Sequence, residues 1–274
     1  MKFTVVTPCL NAAAHIEETV ASVLGQSALK DGSAALEYLV CDGASTDGTL
    51  EALRRLGHPA MRVLSQPDGG MYEALARGLR LASGDVVAYL NAGDYLHPHA
   101  FAAVRDVLAA HPDCRWLTGY AVDYNAEGAV VRVVLPYRFR RRLVLRGAYD
   151  GRLLPFIQQE STFWRRDLQQ GLDYDTLARL RLAGDHFLWR AFARTAELHV
   201  VSAQLGGFRF HAGRLSENLA AYRAEMRGLA EPLGVLDRAQ MLADRLLWYA
   251  PPAVKKALNP GALHLFDQSA GRWT

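Results

Sequence analysis

The chain has 274 residues with 31 basic and 28 acidic side chains, a formal net charge of +3, and 50% hydrophobic content. At ~150 residues per domain this allows one large domain with an appendage, and 23 glycines and 11 prolines are far too few for a disordered or collagen-like chain. So even a charge balance excludes a nucleic-acid partner recognised by bulk charge. Cys9, Cys41 and Cys114, with no CxxC spacing, exclude a disulfide framework or zinc ribbon and lead us to expect a reducing, cytoplasmic setting.

The opening MKFTVVTPCLN lacks the long apolar core and cleavage site of a secretory signal, so residues 3–7 read as a strand stopped by Pro8. Ile16–Leu24 has helical apolar spacing behind Glu17 and Glu18. Residues 36–41 read as a second strand, DGASTDGT as a turn-rich loop and Thr49–Leu56 as a helix. Met61–Ser65 is a third strand and Met71–Leu81 a helix striped by Met71, Leu75 and Leu79. Residues 85–90 form a fourth strand that runs directly into NAGD. Alternation of this kind predicts an α/β fold with a doubly wound, mostly parallel sheet, because parallel neighbours need crossover helices.

Ala100–Ala110 is a further helix, and residues 116–124 and 129–135 read as paired strands around a turn, where an antiparallel element enters. In residues 137–146, five arginines among apolar residues fit either a snorkelling surface or a contact to phosphate or anionic lipid. Residues 185–195 are a buried helix and 198–203 a strand; beyond Ser216 the pattern is helical until Pro251–Pro252. No stretch has the ~18 uninterrupted apolar residues of a spanning helix.

Loops after parallel strands open on one sheet edge, so residues 7–11, 42–49, 68–70 and 91–94 should converge there. Asp42 and Asp94 each follow an apolar strand directly, where a carboxylate must cap, bind or react. There is no GxxxxGK[ST], GxGxxG or HExxH. Asp94 on its loop suits a hard cation, Mg²⁺ or Mn²⁺, shared with a diphosphate.

TPCLNAAAHIEETVASVLGQ, YLVCDGASTDGTLEAL, SQPDGGMYEALARGLRLASGDVVAYLNAGD, QQESTFWRR and AGDHFLWRAF together resemble the family 2 glycosyltransferases of GT-A fold, over roughly residues 3–216. The resemblance is to the bacterial subgroup that assembles O-antigen, capsule and other exopolysaccharides. It implies a GT-A-like domain over residues 1–215 and a C-terminal helical extension over 216–274. It also implies that Thr7, Pro8 and Asp42 hold the nucleotide base. An Asp42 carboxylate accepting an imide N–H favours uracil and hence a UDP-sugar donor. Asp68, Arg77 and Asn91 would border the nucleotide and diphosphate, although Ala76 stands where many relatives have Asn.

By the same resemblance Asp94 holds the divalent ion, with His211 as a further ligand, and Gln159, Glu160 and Trp164 line the acceptor side. Asp185, which by position alone caps the helix it begins, becomes the general base of an inverting transfer. The acceptor would be a saccharide or a polyprenyl-diphosphate-linked saccharide. The C-terminal helices, with Trp248, Tyr249, Lys255 and Lys256, then suggest peripheral contact with the inner face of the plasma membrane; packing or an oligomer would explain them equally. The rival readings are a sugar nucleotidyltransferase, which TPCLNAAA does not favour because it lacks a basic Gly-rich loop, and a non-catalytic nucleotide-sugar-binding relative.

Overall fold

The computed structural model describes residues 1–210 and 218–274. The N-terminal run forms β1 (Lys2–Cys9), longer than the sequence suggests because Pro8 and Cys9 still pair with Cys41 and Asp42. There follow α1 (Ile16–Leu24), α2 (Ser27–Lys30), β2 (Ala35–Asp42), α3 (Thr49–Leu56), β3 (Met61–Ser65), α4 (Met71–Leu81) and β4 (Val86–Tyr89). The middle of the chain adds β5 (Tyr95–Leu96), α5 (Ala100–Ala110), β6 (Trp116–Thr118), β7 (Ala121–Tyr124), β8 (Val130–Val134), α6 (Arg141–Leu145) and β9 (Thr162–Arg165). It closes with α7 (Tyr174–Arg179), α8 (Gly184–Ala193), β10 (Leu198–Val201), β11 (Gly206–Arg209), α9 (Leu219–Leu229), α10 (Val235–Leu247), α11 (Pro252–Leu258), β12 (Leu263–His264) and the pair β13 (Phe266–Asp267) and β14 (Arg272–Trp273).

The central sheet has the order β12-β10-β6-β9-β4-β1-β2-β3 and is parallel except for β9, which runs antiparallel between β4 and β6. Both faces are covered, and the strands alternate between them. Phe3, Val5, Tyr38, Val40, Val86 and Ala88 pack with α1 and α5, whereas Val6, Leu39, Cys41, Val87 and Tyr89 face α4 and α8. α4 lies unusually close to the sheet at Gly78, where a Cβ would sit 2.4 Å from Val6 Cγ1, so only glycine fits.

A second sheet, β5-β11-β7-β8, stands at the loop end of the first. The predicted strand over 116–124 is in fact two: β6 belongs to the central sheet and β7 to the smaller one, paired with β8. The predicted antiparallel entry also falls at β9, which sequence reading left without an element.

The C-terminal region is tied into the body rather than appended. After three helices the chain returns β12 to the edge of the central sheet, in parallel with β10. The expected boundary at residue 215 lies outside the described residues. Among the described residues no helix is long and apolar enough to cross a membrane.

The arginine-rich stretch has a structural task. Arg138 pairs with Glu197 at 2.8 Å, Arg140 with Asp244 at 2.7 Å and Arg142 with Asp237 at 2.8 Å, and Arg146 reaches Asp237 as well. Arg141 donates to the carbonyls of Ala193 and Arg194 at the end of α8. These guanidinium groups clamp α10 and α8 onto α6, which corrects the reading of this stretch as a phosphate or lipid contact. Trp248 is buried against Phe139 and Tyr149, and Lys255 is buried with its ammonium on the Leu135 carbonyl, so neither reaches a surface partner.

Candidate active site

Parallel β1, β2, β3 and β4 deliver their following loops to one edge of the sheet. Because β9 runs the other way, its leading residues Gln159–Ser161 arrive at that same edge. Asn91 Nδ2 donates to Gln159 Oε1 at 3.2 Å, and the Gln159 amide also donates to the Tyr89 carbonyl. Asn91 and the QQEST segment, 68 residues apart in sequence, thus meet.

At the β2 end, Asp42, Asp68 and Arg77 come together. Arg77 Nη2 lies 3.7 Å from Asp68 Oδ2 and 3.4 Å from the Asp42 carbonyl, while Arg77 Nε is buried without a hydrogen-bond partner. Burial raises the Asp68 carboxyl, opposed by the Gly70 N–H and by Arg77. Burial would likewise raise Asp42, but hydrogen bonds from Ser45 and Ser65 hold it below its ordinary value.

Thr7, Pro8 and Asp42 are all built into the paired ends of β1 and β2. Asp42 is buried and accepts from Ser45 and Ser65, so its carboxylate anchors the DGASTDGT loop. Thr7 is buried with its hydroxyl 3.0 Å from that of Tyr38, and Pro8 is buried within β1 because the strand continues past it. The first loop is instead held at Asn11, whose N–H donates to Ser45 and whose side chain accepts from the Thr46 N–H.

Asp94 is buried at the turn after β4. Its Oδ1 accepts from the Arg209 backbone N–H at 3.0 Å, and Thr19 ties down both its carbonyl and the Gly93 N–H. Arg209 is itself fixed by Glu18, the Tyr95 hydroxyl and the Ala126 carbonyl. Across from Asp94 is the buried Glu160. Burial first, and then the charges of Asp94, Asp185 and Asp123, push its carboxyl well above the ordinary range. Asp94 and Asp185 therefore act on one shared neighbour, although they lie 91 positions apart in the chain.

Asp185 begins α8 and is partly buried. Burial raises its carboxyl to about 6, against hydrogen bonds from the His186 N–H at 2.7 Å and from the Tyr222 hydroxyl. Sequence reading passed over two residues of α9. Tyr222 donates to the Asp185 carboxylate, and Glu225 accepts from the N–H groups of Arg181, Leu182 and Ala183, at 2.9, 2.7 and 2.6 Å. Ala183, the residue before α8, has no capping side chain; Glu225 of α9 instead fixes the segment that leads into the helix, and Asp185 itself takes the His186 N–H. Spacing of i and i+3 places Tyr222 and Glu225 on one face, but nothing local says which loop they meet.

A narrow cleft of about 10 Å³ opens beside Asp185, bordered by His186, Tyr149, Ile157 and Tyr222. A larger recess of about 420 Å³ lies where β6, β10 and β12 begin, opposite the loop edge, lined by residues such as Arg138 and Glu197 that pair with each other. Trp164 joins neither. It is buried in the core against Trp189 and Phe192, which corrects its placement on the acceptor side. His211 lies outside the described residues.

The donor set was weighed against a divalent metal. Among the described residues no three His, Cys, Asp or Glu side chains are grouped to cage an ion. The Asp94 carboxylate nevertheless provides oxygen chemistry that suits a hard cation completing its shell with water and phosphate oxygens.

An α/β body with a mostly parallel sheet, a reversed β9 and carboxylates gathered at the loop edge is the GT-A type of glycosyltransferase fold. The model of the Glycosyl transferase family 2 matches residues 4–169, and the chain belongs to that family. It is 31% identical to the PGL/p-HBAD biosynthesis glycosyltransferase of Mycobacterium bovis (strain BCG / Pasteur 1173P2) over 218 residues, covering 75% of this chain and 77% of that protein. It is 35% identical to chondroitin synthase of Pasteurella multocida (strain Pm70) over 95 residues, 34% of this chain but only 9% of that protein's length. The structure of S. aureus TarS 1-349 in complex with UDP-GlcNAc superposes with a TM-score of 0.64 at 20% identity, covering 90% of this chain and 72% of that one. The mannosyltransferase PcManGT from Pyrobaculum calidifontis, in complex with GDP-Man and Mn²⁺, gives a TM-score of 0.59 at 19% identity, covering 95% and 75%.

Proposed function

We propose that the chain is an inverting glycosyltransferase that moves a sugar from a nucleoside-diphosphate donor, in the first place a UDP-sugar, to a hydroxyl of a saccharide or polyprenyl-diphosphate-linked saccharide in surface polysaccharide synthesis. What supports this reading is that the segments leaving β4 and entering β9 carry Asp94 and Glu160 to one sheet edge, with Asp94 and Asp185 both near enough to raise the Glu160 carboxyl. The donor would lie over that edge, near Asp68, Arg77 and Asn91. Two buried polar atoms without partners, Arg77 Nε and Asn91 Oδ1, fit a polar ligand there. UDP as the nucleotide is supported by the staphylococcal fold neighbour crystallised with UDP-GlcNAc.

In the transfer, Asp185 takes the proton of the acceptor hydroxyl as that oxygen forms its bond to the anomeric carbon. The bond from that carbon to the diphosphate oxygen breaks on the opposite face, so the configuration inverts and the nucleoside diphosphate leaves with the electron pair. Asp94 would hold Mn²⁺ or Mg²⁺, which when bound supplies positive charge to the departing diphosphate. Gln159, which accepts from Asn91, and Glu160, which feels the charge of both carboxylates, would line the acceptor side. The cytoplasmic setting expected from three cysteines, all free and buried, belongs to the same proposal.

The test is release of nucleoside diphosphate from a panel of nucleotide-sugars with Mn²⁺, using wild type, Asp185→Asn and Asp94→Ala. We expect Asp185→Asn to bind donor but turn over about 10²-fold or more slowly, and Asp94→Ala to lose its metal response. Wild-type turnover in Asp185→Asn, or pyrophosphate release from UTP and a sugar 1-phosphate without donor hydrolysis, would overturn the assignment.

A further inference from the structure

Helix α10 is built inside out. Asp237 and Asp244, 1% and 0% exposed, point into the protein, where they meet Arg142, Arg146 and Arg140. They are seven residues apart, two helical turns, and Met241 and Trp248 are buried on the same side. The opposite side is apolar and faces outward. Val235 is 83% exposed, Leu242 58% and Leu246 81%, with Ala239 and Ala243 exposed between them. At ~100° per residue these side chains fall on one continuous stripe centred opposite the aspartates. A water-facing helix normally shows the reverse arrangement, polar outward and apolar inward.

The charge along this face has one sign. Between Val235 and Leu258 the only acidic residues are the two buried aspartates. Arg238 is exposed at the margin of the apolar stripe, and Arg245 lies beside it with its guanidinium 4.9 Å from the Tyr249 ring centre. Tyr249 is itself exposed, and Val254 and Leu258 of α11 extend the run of exposed apolar residues. Apolar side chains bordered by arginine and tyrosine, with carboxylates withdrawn, are the features of a helix lying in a membrane interface. A stripe ~17 Å long from Val235 to Leu246 is enough to bury several side chains at the headgroup boundary.

We propose that this face of α10 docks the protein on an anionic lipid surface. Leu242, Leu246 and Val235 enter the acyl boundary while Arg238 and Arg245 meet lipid phosphates. The buried ion pairs explain how the arrangement survives in water: Asp237 and Asp244 hold the helix by its polar side, leaving the apolar side free. α10 is clamped to α6, and α6 packs on α8, which carries Asp185. A chain seated this way would hold its acceptor-side cleft at a constant distance from the bilayer. The docking goes beyond the glycosyl-transfer reading and does not depend on the donor chemistry.

The test is flotation of the full chain with vesicles of phosphatidylcholine alone and of equimolar phosphatidylcholine and phosphatidylglycerol, at low and high salt. Wild type should float with the anionic vesicles, less so at high salt. Leu242→Glu combined with Leu246→Glu should reduce the bound fraction about tenfold, with unchanged circular dichroism and donor hydrolysis. If the double glutamate variant does not fold, Leu242→Ala with Leu246→Ala serves, with a smaller reduction in the same direction. Wild type remaining in the bottom fraction with both vesicle types would overturn the proposal, as would a variant that floats like wild type. A lipid-free dimer dissociated by the same substitutions, with no vesicle binding, would assign the face to a second copy of the chain and equally overturn it. Loss of donor hydrolysis in wild type would bear on the transfer reading and leave the flotation result intact.

Discussion

The hydroxyl of Tyr222 lies 2.9 Å from each carboxylate oxygen of Asp185, so a residue of α9 is shared between the two oxygens of the proposed base. This hydrogen bond stabilises the charged carboxylate and opposes the burial that raises it to about 6. The rate should fall as pH drops through that value, because a protonated Asp185 cannot accept the acceptor proton. In Tyr222→Phe the opposing hydrogen bond is gone, and the acid limb of the pH–rate profile should move upward by about one pH unit. Donor hydrolysis from pH 5 to 9 checks this: an unmoved acid limb with an equal loss at every pH would mean that Tyr222 does not tune Asp185.

Glu225 accepts three backbone N–H groups ahead of α8. Glu225→Ala leaves these donors without a partner and should cost about 2 kcal/mol of stability, and Glu225→Gln less, since one amide oxygen remains. Urea unfolding of the two variants beside wild type measures the difference. Equal midpoints for all three would show that water replaces the carboxylate at no cost.

Asp244 is wholly buried and bound by two arms of Arg140, at 2.7 and 2.9 Å, with Gln240 as its other donor. Arg140→Met should destabilise the chain by about 3 kcal/mol, because it leaves a buried charge without its counter-ion. Arg140→Met combined with Asp244→Leu should recover a large part of that loss. Thermal unfolding of the single and double variants is the measurement, and a double variant as weak as the single one would contradict it.

At Gly206 a Cβ would stand 2.0 Å from the Glu160 carbonyl oxygen, and that backbone atom cannot swing aside. Gly206→Ala should therefore cost about 2 kcal/mol or more and should weaken metal-dependent donor binding by displacing Glu160 relative to Asp94. Calorimetric donor titration with and without Mn²⁺, alongside unfolding, follows both effects. A variant with wild-type stability would show that β11 and the Gln159–Ser161 segment can separate without harm.

Much of this molecule is local and therefore legible in its sequence. Most elements from β1 to α5, though not the short α2 and β5, follow from apolar periodicity and turn residues, and α1, α3, β3, α4 and α5 have the bounds their spacing predicts. Asp42 and Asp94 stand out in sequence as carboxylates directly after apolar strands, Asp185 only through the family likeness, and the loop edge follows from parallel strands sharing a direction. The core position of Trp164 is not legible, because sequence distinguishes an aromatic residue but not whether its neighbours seal it. Nor does sequence show that Ser65, from another strand, donates to Asp42.

What sequence alone determined was the alternation of strands and helices, the family likeness and which carboxylates lie on strand-following loops, since all of these depend on residues near one another in the chain. Tertiary structure decided the rest: that β9 reverses to bring Glu160 to the loop edge that carries Asp94, that Tyr222 and Glu225 return from α9 to hold the proposed base and its leading segment, and that α10 turns its aspartates inward. Each of these depends on pairings across tens of residues, and the free energy of burying a charge is set by whatever partner the fold brings to it, which no local pattern records.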